Sequence, residues 1–135
     1  MSRVMRIVKR TLESLLVVTL LWSAAPSARA DSFDSFCAEW MNKLAQREQQ
    51  NLAKVQYAPG SGGVEGKYTG YERVPVRCQT RATPGKPGVG TLVYHELHYK
   101  KSGSTVEHAK SSAPQVVEKV EVMEIFRFDG QKWKY

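Results

Sequence analysis

The sequence predicts an α+β domain: one amphipathic helix packed on a curved antiparallel sheet of four to five strands. Three observations predict it. Apolar residues recur every third or fourth position over residues 31–57. Beyond Gly63 the apolar period drops to two, and short Gly- and Pro-rich clusters separate the alternating runs. A run of strands joined by short turns and preceded by one helix leaves a single apolar stripe to cover one sheet face.

The helical stripe holds Phe33, Phe36, Cys37, Trp40, Met41, Leu44, Leu52 and Val55. Asp31 or Ser32 supplies a side-chain acceptor for the free N–H groups of the first turn, and Asp34 favours its positive end. Asn42, Lys43, Gln46, Gln49, Gln50 and Lys54 form the wet face. The stripe weakens between Leu44 and Leu52, which predicts a bend there or a helix that projects beyond the sheet. Pro59 and the glycines to Gly63 then read as a flexible loop.

The sheet is expected over residues 64–135. Lys67 to Arg81 reads as a strand or a pair of strands, with Val74, Val76, Cys78 and Thr80 on one face. Pro75 donates no hydrogen bond and predicts an edge or a bulge. Residues 83–88 form a loop. Residues 91–100 form a strand, with Val93, His95, Leu97 and Tyr99 on one face and Leu92, Tyr94, Glu96 and His98 on the other. Residues 105–110 read as a short strand after the Ser102–Ser104 turn. Val116 to Phe128 is the longest strand, rich in Val, Ile and Phe. Asp129-Gly130 signals a two-residue hairpin into a last strand with Trp133 and Tyr135. This element order is similar to the cystatin-like and nuclear-transport-factor-like layouts, in which a curved antiparallel sheet cradles a helix. The resemblance implies a fold and no activity.

Residues 1–30 have the three parts of a secretory signal. Arg3, Arg6, Lys9 and Arg10 make a positive leader, Leu15–Ala25 is an uncharged and mostly apolar run, and Ala28-Arg29-Ala30 is a small-x-small end. The uncharged stretch from Ser14 to Ala28 is shorter than the ~20 residues a spanning helix needs, so no stable transmembrane anchor is expected. Cleavage after Ala30 removes five bases and one acid, Glu13, from a chain that carries 20 and 13. It leaves 15 bases and 12 acids on 105 residues, so +7 becomes +3. With export, that mild charge excludes a dedicated nucleic-acid binder. An oxidising compartment also makes Cys37 and Cys78 a disulfide pair. The loop they close contributes about 4 kcal/mol in the chain-entropy view.

Few residues carry recognisable chemistry. There is no nucleophile elbow, and Gly60-Ser61-Gly62-Gly63 lacks the Lys and the helix of a phosphate loop. His95 and His98 diverge on a strand, so no metal site is expected, and no cofactor is implied. Glu124 shares the parity of Val120, Val122 and Phe126. It reads as semi-buried, as a register marker, or as a partner of a base such as Lys100.

Tyr71, Arg73, Arg77 and Arg81 share one parity, and on a continuous strand they form a solvent-facing stripe. Arginine forks there suit phosphate or carboxylate groups. Trp40, Tyr94, Tyr99 and Phe126, with Glu124, would line a pocket if the concave side of the sheet is open. The expected function is that of an exported binding protein. It docks a protein, a glycan, an anionic envelope component or a small ligand at the helix–sheet cleft or on the exposed sheet face. Two alternatives are an enzyme of the same fold using Glu124, Glu96 or His95 as acid and base, and a structural module that dimerises through its sheet.

Overall fold

A computed structural model describes residues 32–135. The predicted signal and its cleavage site lie outside them. The fold is α+β, one long helix packed against a curved antiparallel sheet of six strands. α1 runs Phe33–Ala53 and β1 runs Tyr57–Gly60. β2 is Gly63–Tyr71, β3 Arg77–Arg81 and β4 Val89–Gly103. A short helix α2, Val106–Ser111, precedes β5, Gln115–Phe128, and β6, Trp133–Lys134. The sheet order is β1-β2-β4-β5-β6, with β3 sharing the β2 side of β4.

α1 starts where the sequence places it. The Ser32 side chain accepts from the Ser35 N–H, and Asp34 sits in the first turn. Phe33, Cys37, Met41 and Leu44 are its buried residues and pack with Leu92, Tyr94, Phe126 and Tyr71. Gly90 lets the helix start close on the sheet, because a β-carbon there would lie 2.2 Å from the Phe33 ring. Phe36, Trp40 and Trp133 complete the aromatic core, with Trp40 edge-on to Phe126 at 4.9 Å between centroids. The Cys37–Cys78 disulfide ties the first half of α1 to β3.

Beyond Leu44 the same helical face turns polar for a structural reason. Glu48 and Asn51 continue the spacing, and both meet the edge of β2 that β1 leaves uncovered. The Glu48 carboxylate accepts from the Tyr71 N–H at 3.4 Å, and the Asn51 amide donates to the Thr69 carbonyl at 2.9 Å. Helix side chains thus satisfy strand groups that would otherwise seek another strand.

Four local expectations are corrected. The helix ends at Ala53 rather than at 57, with Lys54 as its C-cap. The expected loop over 59–63 is a hairpin, in which Gly60 opposes Gly63 across Ser61-Gly62 and Gly63 takes a φ of 106°. Residues 106–111 are helical, because the Thr105 side chain caps the His108 N–H. The turn after β5 spans four residues rather than two, since Phe128 opposes Trp133. Asp129 Oδ1 closes it by accepting from the backbone N–H groups of Gln131 and Lys132.

Candidate functional site

β4 pairs with β5 without interruption from Val89 to His98, so its faces alternate there as the sequence predicts. Leu92 and Tyr94 point into the helical core. Val93 and its odd-numbered neighbours belong to the opposite, outer face. The register shift between β4 and β5, between His98 and Tyr99, lies opposite Val117 rather than near Pro75.

The predicted arginine stripe is split. Tyr71 ends β2 and is buried in the core, edge-on to Tyr94. The chain then leaves the sheet, and Arg73 turns back to Glu48 at 2.8 Å. Val74 and Val76 are exposed in this crossing rather than buried on a strand face. Arg77 and Arg81 do share the outer face of β3. The register extends that face across three strands. One row is Arg77, Val93 and Met123; the next is Gln79, Thr91 and Ile125; the last is Arg81, Val89 and Arg127.

Arg127 is the residue that sequence reasoning missed. Nothing local links it to Arg81; only the register of β3 and β5 on β4 brings the two together. The strand rise puts Arg77 about 13 Å from Arg81, and two strand spacings put Arg127 about 10 Å from Arg81. Met123 and Ile125, which precede Arg127 on the same face of β5, are 54% and 56% exposed. All three arginines are exposed, and among the described residues none has an ion-pair partner. A depression of about 410 Å³ lined by Gln79, Thr80, Arg81, Val89 and Thr91 opens on this side.

The expected aromatic pocket is a packed core with one outlier. Trp40, Tyr94, Phe126 and Glu124 do come together. The Tyr94 hydroxyl donates to Glu124 at 3.2 Å, and burial, followed by the Glu124 charge, pushes that phenol well above its ordinary range. Glu124 likewise holds the Tyr135 hydroxyl up. Glu124 is half-buried and opposes Leu92, while Lys100 faces Glu65 instead. Tyr99 lies elsewhere, stacked on Tyr68 at 4.9 Å. The helix–sheet cleft is an open groove of about 620 Å³ between the end of α1 and β1–β2. Asn51, Lys54, Gln56, Glu65, Lys67 and Thr69 are among its lining residues.

The titratable groups weighed as acid and base do not converge. Glu96 and His98 share the inner parity of β4. His98 lies between Glu96 and Glu118, at 2.8 Å from each, and these two carboxylates raise its pKa. His95 is on the outer face, 2.8 Å from Glu72. Glu72 also binds Lys119; that contact first, then His95, lowers its pKa. Glu124 is four positions along β5 from Val120, the residue opposite Glu96, or about 13 Å away. Among the described residues no group of three or more His, Cys, Asp or Glu side chains is arranged to hold a metal ion.

Comparison with family models, with curated proteins and with solved structures finds no match to this chain. No described helix is long and apolar enough to cross a membrane.

Proposed function

We propose that this chain is an exported binding protein that lays its outer sheet face on an anionic, phosphate-bearing lipid surface of the cell envelope. The observation that carries the reading is the face itself, on which unpaired Arg77, Arg81 and Arg127 mark three corners and the exposed Met123 the fourth, with exposed Ile125 between Met123 and Arg127. Arginine forks match phosphate oxygens. Exposed apolar side chains beside them suit the boundary between headgroup and acyl chain. The signal-like residues 1–30 and the Cys37–Cys78 disulfide support export. The helix–sheet cleft is a weaker candidate, because its Asn51 amide is engaged by Thr69 and its Glu65 faces Lys100.

Sedimentation with lipid vesicles tests this. The protein is expected to bind vesicles containing phosphatidylglycerol and not vesicles of phosphatidylcholine alone, with affinity falling as salt rises. Each arginine near such a surface contributes about 1 kcal/mol, so Arg77→Ala with Arg127→Ala should weaken binding about thirtyfold. Arg73→Ala, which removes a cation paired with Glu48, should leave it unchanged. Equal binding to neutral vesicles, or a double variant that binds as the parent does, would sink the proposal.

A further inference from the structure

The sheet has one long edge that the described residues leave open. β1 is four residues long and carries Pro59, the free stretch of β2 is capped by Glu48 and Asn51, and β3 is five residues long. β5 differs. β6 pairs with it only at Arg127 and Phe128, and among the described residues no strand pairs with the outer edge of 115–126. Such an edge presents a row of unpaired N–H and C=O groups, a template for another strand.

The charges on β5 select the occupant. Two identical antiparallel strands related by an axis normal to the sheet oppose residues of the same parity, so each register is centred on one residue. Centring on Lys119 or Glu121 opposes like charges at the axis, and centring on Val122 pairs no opposite charges. Centring on Met123 sets Lys119 against Arg127, and centring on Glu124 opposes two carboxylates. Centring on Val120 sets Lys119 against the partner's Glu121, and Glu121 against the partner's Lys119. It also sets Glu118 beside the partner's Val122 and opposes no like charges. Its regular span, 118–122, lies between the bulge at Val117 and the segment paired with β6. Glu121 is exposed and loosely held, 3.9 Å from His95, whereas Lys119 already binds Glu72 of its own chain and would bridge that carboxylate and the partner's Glu121.

We propose that a second copy of this chain occupies the edge, with β5 pairing antiparallel to β5 about a two-fold axis at Val120. The dimer is a continuous sheet joined by strand hydrogen bonds and two reciprocal Lys119–Glu121 pairs.

Sedimentation equilibrium of the full chain as secreted tests this. Wild-type protein should show a reversible approach to twice the chain mass. Glu121→Lys should raise the dissociation constant about tenfold or more, and Lys119→Glu combined with Glu121→Lys should restore it. Under mild oxidation Val120→Cys should cross-link to itself across the axis, while Glu124→Cys should not. The cross-linking arm also decides the matter if a charge variant fails to fold. A single-chain mass at every concentration, a Glu121→Lys protein that dimerises as the parent does, or equal cross-linking at 120 and 124 would each overturn the proposal.

Discussion

His98 shows how one side chain records its surroundings. Its two ring nitrogens each meet a carboxylate, from Glu96 on its own strand and Glu118 across the sheet. Only the imidazolium donates from both nitrogens, so these contacts favour the charged ring and raise its pKa above the unfolded value of about 6.5. A raised pKa stabilises the folded chain fully below the unfolded value, and the effect is lost as pH rises through the folded one. The stability difference between wild type and His98→Gln should therefore be largest in mild acid and shrink as pH rises through the folded His98 pKa. Denaturant midpoints measured across that range check it, and a difference independent of pH would contradict it. The candidate site is also decided residue by residue. Arg77 and Arg81 share a face because they are four apart on one strand, which the sequence shows. Arg73 sits at a similar spacing, yet the chain has left the sheet by then, and its acid partner is 25 positions away. Arg127 joins the face only through a register that no local pattern encodes.

At the scale of elements, α1 changes role along its length. Its first half buries apolar side chains, and its second half hydrogen-bonds a strand edge. Asn51→Ala should leave the Thr69 carbonyl without its partner at a half-buried edge and cost about 1–3 kcal/mol, read as a lower denaturant midpoint. Alanine keeps the helix backbone intact, so the loss reports the amide contact itself. Little or no change would mean that water replaces the amide there. This division explains the fading stripe after Leu44, which in the sequence looks like weakened packing. The main elements were legible because they are long and periodic: α1 at spacings of three and four, β4 and β5 at period two. The short ones were not. α2 has fewer than two turns, too few for periodicity to show, and its only local sign is the Thr105 cap. β1 hides behind Pro59 and Gly60, which read as a breaker although an edge strand tolerates both. The expected pocket fails for a related reason. Tyr94 and Tyr99 have opposite parity on β4, so one lies in the helical core and the other stacks on Tyr68.

At the scale of the whole molecule, the proposed dimer and the proposed lipid face reinforce each other through symmetry. A two-fold axis normal to the sheet keeps each residue on its own side. The outer faces of both copies, with Arg77, Arg81 and Arg127, then point the same way. One dimer would present six such arginines to a surface, and the second face binds at the high effective concentration set by the first. Disrupting the edge should thus weaken vesicle binding without touching an arginine. Glu121→Lys, which adds positive charge, is expected to bind anionic vesicles less tightly than wild type if the loss of the second face dominates. Charge alone predicts the reverse, tighter binding. The swapped variant Lys119→Glu with Glu121→Lys should recover wild-type affinity along with the dimer. Vesicle titrations of the three proteins, beside their masses, separate the two ideas. Tighter binding by a monomeric Glu121→Lys protein would leave the lipid face standing and remove the link to the dimer. Weak binding by the swapped variant while it dimerises as wild type does would point away from the face and not from the edge.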